Sequence, residues 1–109
     1  MEVANLKDMI GGWFVGSFTP TAHSTHAVEA ALKSYIKGSK ESKHYHKAAT
    51  EITLIHRGCV KMNGREFRDG DIVVINPMET CDFEAIEDTD TFVIKVPGAQ
   101  NDKYLSDLT

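Results

Sequence analysis

Apolar and polar residues alternate along most of this chain, and glycine, proline or an Asx-Gly pair breaks the alternation every few positions. A period of two puts successive side chains on opposite faces of a strand, so the pattern predicts short, half-buried β-strands. Val28–Ile36 alternates and stops at Gly38. Lys43–His46, Thr50–His56, Cys59–Met62 and Arg65–Phe67 follow as candidate strands. Asn63-Gly64 joins the last two as a hairpin signal, because a type I′ turn needs positive φ at both central residues. Asp69-Gly70 makes the next turn. Asp71–Ile75 is a near-continuous apolar run, which predicts a buried strand ended by Asn76-Pro77. Cys81–Ile86 and Thr91–Val96 complete the set, separated by the acidic turn Glu87-Asp88.

Helix is predicted only at the ends. Asn5–Met9 is expected to form a turn capped by Asn5 and stopped by Gly11-Gly12. Asn101–Thr109 is expected to form a short final helix. Eight or so strands at this spacing predict an all-β domain, a sandwich or a closed barrel, since antiparallel sheets must deal with their edges.

Composition narrows the class. The 109 residues are enough for one compact core and too few for two. Twelve basic residues against sixteen acidic give a net charge of −4, with no Lys/Arg block, so a nucleic acid partner is not expected. No apolar run approaches the roughly 20 residues that span a bilayer, and Met1–Ile10 lacks an apolar secretion core. The expected location is cytoplasmic, with no membrane partner. Cys59 and Cys81 form no Cys-x-x-Cys pair and are expected to be reduced, packed thiols, the alternative being that Cys81 lines the site. The inward positions of Asp71–Ile75 and Thr91–Val96 are mostly apolar by type, which suggests a small ligand with few charged contacts.

Candidate chemistry concentrates between Gly38 and Gly58. His44 and His46 are two apart, so on a strand both imidazoles point to one face, about 7 Å apart along it. Such a pair can converge on one ion through bonds of about 2 Å. Glu51 opens the next strand and can add a carboxylate. Two imidazoles and one carboxylate with open positions form the facial set of non-heme Fe(II) oxygenases. A His-x-His pair alone is also found on solvated strands, and Lys43 and Lys47 flank this one.

The wider spacing is more specific. Gly38, His44, His46, Glu51 and Gly58 match Gly-x5-His-x-His-x(3,4)-Glu-x6-Gly, the first metal motif of the cupins, at every fixed position. The chain therefore resembles the cupin superfamily from roughly Val28 to Val96. The resemblance implies a double-stranded β-helix, a jelly-roll barrel. It implies a single domain over 1–109: a barrel core of about 28–96, an N-terminal strand segment of about 13–18 and a tail of 97–109. It also implies one divalent metal, Fe, Mn, Ni or Zn.

The second family motif is altered. Gly70 and Pro77 match it, but Glu79 replaces a glycine, Asp82 stands where the fourth ligand, usually His, belongs, and Ile86 replaces an asparagine. Asp82 is a candidate metal ligand or proton carrier, or else it ends a turn. His56 is expected to face outward, His23 and His26 to lie in a solvated loop, and Tyr45 to point away from the ligands. Tyr35, Met62 and Phe67 are candidate cavity residues, and Phe83, Phe92 and Trp13 candidate packing residues.

Three functional readings follow. The first is a metal-dependent enzyme on a small molecule, of dioxygenase, isomerase or lyase type, with Glu51 or Asp82 moving protons. The second is a non-catalytic binding module, and the third a structural protein with a decayed site. Small cupins often dimerise, and the apolar segment Trp13–Phe18 suggests a homodimer.

Overall fold

The computed structural model describes Met1–Ser106. Ten strands follow one short 3₁₀ turn, Leu6–Asp8, in which Asn5 accepts from the Lys7 N–H as the sequence predicts. They are β1 (Trp13–Val15), β2 (Glu29–Tyr35), β3 (Lys40–Tyr45), β4 (Thr50–Arg57), β5 (Cys59–Met62), β6 (Arg65–Arg68), β7 (Ile72–Ile75), β8 (Cys81–Ala85), β9 (Thr89–Val96) and β10 (Tyr104–Leu105).

These strands build two antiparallel five-stranded sheets, in the orders β1-β2-β9-β4-β7 and β10-β3-β8-β5-β6. Ile55, Val60, Met62, Ile75, Cys81, Phe83 and Ala85 fill the space between them. Each comes from the inward set of its strand, so the period-two pattern and the packing agree. The architecture is a double-stranded β-helix, as expected.

The turns hold register. Asn63 and Gly64 take φ of 49° and 79°, the conformation a type I′ hairpin needs. Gly58, which closes the first motif, has φ of 112° and donates its N–H to Asp69 at 2.8 Å. A Cβ on Gly58 would stand 2.5 Å from the Asp88 carbonyl oxygen. Gly58→Ala is expected to cost about 2 kcal/mol, combining an unfavourable φ with this clash. Urea denaturation measures it, and an unchanged midpoint would refute the steric account.

Two expectations need correction here. Asp71–Ile75 does not give a strand buried on both faces. β7 is an edge strand that sends only Val73 and Ile75 inward and leaves Ile72 and Val74 64% and 51% exposed. The tail is no helix over its described part. Tyr104–Leu105 instead adds a strand to β3, with Tyr104 opposite Tyr45 and Leu105 opposite His44. Asp107–Thr109 lie outside the described residues. β1 joins its own chain's β2.

Candidate metal centre

His44 sits near the end of β3, and His46 follows one residue beyond it. Glu51 is the second residue of β4, in the opposite sheet. The site therefore bridges the two sheets. One ligand atom from each of the three residues lies within 4.8 Å of the others. The two imidazoles stand edge to face, centroids 5.4 Å apart and planes at 88°.

Their environment prepares them as donors. His44 Nδ1 lies 2.9 Å from the Ser42 carbonyl. A carbonyl can only accept, so Nδ1 carries a proton, and in the neutral ring this leaves the lone pair on Nε2. His46 is 3% exposed, and its Nε2 is buried with no hydrogen-bond partner. Such an orphan is costly in a folded protein and calls for an explanation. Burial, then Lys95, then His44 push its pKa down to about 4, which keeps the ring neutral at ordinary pH. Burial pushes Glu51 up, against the pull of Lys95. Two imidazoles and a carboxylate fit a divalent ion. Such an ion would give His46 Nε2 the partner it lacks.

The segment between the ligands is held from afar. The Asp102 carboxylate accepts from the Lys47 N–H at 3.0 Å, the Ala48 N–H at 3.1 Å and the Ala49 N–H at 3.0 Å. Burial pushes its carboxyl up, but the three donors outweigh that and hold it below its ordinary range. Nothing local in the sequence points to this residue.

Asp82 is placed apart from this cluster. Its Oδ1 accepts from the Asn63 N–H at 2.7 Å, and its own N–H donates to Asn63 Oδ1 at 3.1 Å. It lines the cavity while tying the hairpin turn. The inward residue of that strand is Cys81, directly opposite His44. Its thiol, pushed up to about 12 by burial and by Glu51, stays protonated.

A cavity of about 400 Å³ opens beside the three donors. Tyr35 and Met62 line it as predicted, together with Phe83 and Trp13. Phe67 packs against the core beneath. His23, His26 and His56 are exposed. Tyr45 turns away and stacks on Tyr104 at 5.4 Å. The far strand departs from expectation: β9 sends Thr91, Val93 and Lys95 inward, so a charged group lines the wall thought to be apolar.

Fold and geometry together define a small double-stranded β-helix with a two-histidine, one-carboxylate cluster inside its barrel. No protein-family model and no curated protein matches the chain. Solved structures do. A double-stranded β-helix protein from Klebsiella pneumoniae is 17% identical over 75% of this chain and 72% of its own, with a TM-score of 0.69. An RmlC-like cupin from Shewanella frigidimarina is 18% identical over 72% of each chain, TM-score 0.64. The DMSP lyase DddQ from Ruegeria pomeroyi is 19% identical over 76% of this chain and 45% of its own, TM-score 0.65. The fold is that of a small cupin domain. Among the described residues, no helix is long and apolar enough to cross a membrane.

Proposed function

We propose that this chain binds one divalent transition metal through His44, His46 and Glu51 and acts on a small organic molecule. The observation that carries the reading is His46 Nε2, buried without a partner beside a second imidazole and a carboxylate. The nitrogen–oxygen donor set suits Fe, Mn, Ni or Zn. A bound ion would supply Lewis acidity, or O2 chemistry in the case of Fe(II). The chain's own residues hold the donors, and the cavity walls orient a substrate and limit water. Asp82, which lines the cavity, is our candidate for passing a proton to solvent. The likeness in fold to a lyase supports an enzymatic reading.

Elemental analysis of the purified protein tests this. About one equivalent of a divalent metal is expected, directly or after reconstitution. Glu51→Gln keeps both imidazoles and removes the charge, so it is expected to weaken metal binding about 10- to 100-fold. Absence of metal in the wild type after reconstitution with all four ions would refute the reading.

A further inference from the structure

The inward residues of three adjacent strands line up in rows across the sheet. Glu29 on β2, Lys95 on β9 and Glu51 on β4 form one row. Ala31, Val93 and Thr53 form the next, and Trp13 pairs with Ala31. Lys33 and Thr91 follow. The small middle row leaves the space that the indole of Trp13 borders.

Two ammonium groups flank that indole. Lys95 Nζ is 4.9 Å from the ring centroid and Lys33 Nζ 5.7 Å. Their partners differ. Lys33 is paired with Glu41 at 3.6 Å. Lys95 has no carboxylate within 4.0 Å among the described residues, although it stands between two glutamates in register. A lysine serving only as a counter-ion to Glu29 or Glu51 would close on one of them. This one is held against an aromatic face, with its charge in the cavity.

The lining has four carboxylates, on Glu29, Glu41, Glu51 and Asp82, against three ammonium groups, on Lys33, Lys95 and Lys103. With a divalent cation on Glu51 the balance moves from −1 to +1, and Lys95 keeps one neighbouring carboxylate instead of two. Burial already pushes Lys95 towards its neutral form, an effect that an incoming anion reverses.

From this arrangement we infer that Lys95, backed by Trp13, anchors the carboxylate of a small anionic substrate whose other end faces His44, His46 and Glu51. The inference rests on the proposed function and adds the substrate's charge. A cavity of about 400 Å³ limits that substrate to about one ring or a short chain.

Calorimetric titration with benzoate and malonate, against their neutral counterparts benzamide and malonamide, tests it. Each is run on metal-free and Zn(II)-loaded protein. At least one carboxylate is expected to bind the wild type with Kd of about 1 mM or tighter, and at least about tenfold better than its amide. Lys95→Met and Lys95→Gln are each expected to lose about tenfold for the carboxylate while keeping Zn(II) stoichiometry, whereas Lys61→Met, on the exposed face of β5, changes nothing. Two variants guard against one that fails to fold. Equal binding of acid and amide, no binding of either acid, or unchanged binding in both Lys95 variants would overturn the inference. Failure of the wild type to take up Zn(II) or any of the other three ions would instead refute the metal reading. Lys95-dependent binding to metal-free protein would then stand by itself.

Discussion

His46→Leu is expected to raise the stability of the metal-free protein by about 1–2 kcal/mol and to abolish its stabilisation by divalent ions. The two effects have one cause. His46 is buried, and its Nε2 has no partner, so the metal-free fold carries a desolvated nitrogen with nothing to offset it. Leucine fills a similar volume without that cost. A ligand at 1,000 times its Kd stabilises a fold by about 4 kcal/mol, and the variant should lose all of this. Metal affinity should fall by about 1,000-fold or more, beyond the loss expected from a residue that only supports a ligand. Acid behaviour follows with the same sign. The folded-state pKa of about 4 lies below the unfolded value of about 6.5. The unfolded chain therefore binds the proton first, and metal-free wild type loses stability as pH falls from about 6.5 towards 4. The leucine variant should lack this component. Thermal melts at pH 7.5, 5.5 and 4.5, with and without Zn(II), decide the matter. A destabilised metal-free variant would show that the imidazole is a packing residue with an unseen partner.

Asp102→Ala is expected to cost about 2–4 kcal/mol and to weaken metal binding about 10- to 100-fold, although Asp102 is not placed among the donors. Its carboxylate gathers three consecutive N–H groups between His46 and Glu51, which belong to segments joining opposite sheets. Without it the Ala49 N–H, buried with its residue, loses its acceptor. Asp102→Asn keeps one accepting oxygen and should fall between. A folded-state pKa below the ordinary value means that this contribution is present above about pH 4 and fades below it. That window is separate from the one set by His46. Urea denaturation and metal titration on both variants supply the test. A variant that loses stability but binds metal normally would make Asp102 a structural clamp alone.

The barrel and the clustering of His44, His46 and Glu51 were legible in the sequence, the strands from local rules and the rest from the resemblance to the cupins. Alternation fixes which residues face inward, Asn63-Gly64 fixes a hairpin, and the spacing of Gly38, His44, His46, Glu51 and Gly58 carries the rest. What was missed followed from parity and distance. Asp82, located by motif spacing, lines the cavity and also ties the hairpin turn, while strand parity turns its neighbour Cys81 inward; a shift of one residue exchanges the faces. The same parity, applied from Thr91 and Val93, places Lys95 inside, where residue type alone suggested an apolar wall. Asp102 and the strand Tyr104–Leu105 act across more than fifty residues of chain, beyond the range of any local pattern.

Asn63 gives the protein a chemical clock. An asparagine followed by glycine is the pair most prone to lose its side-chain amide on storage, because glycine leaves the next backbone nitrogen unhindered. Here the amide also holds structure: its Nδ2 donates to the Thr80 carbonyl at 2.8 Å, and its Oδ1 accepts from Asp82. Deamidation would set a carboxylate against that carbonyl and beside the carboxylate of Asp82, which lines the cavity. Aged preparations would then differ from fresh ones in the hairpin turn that holds Asp82, rather than at His44, His46 and Glu51.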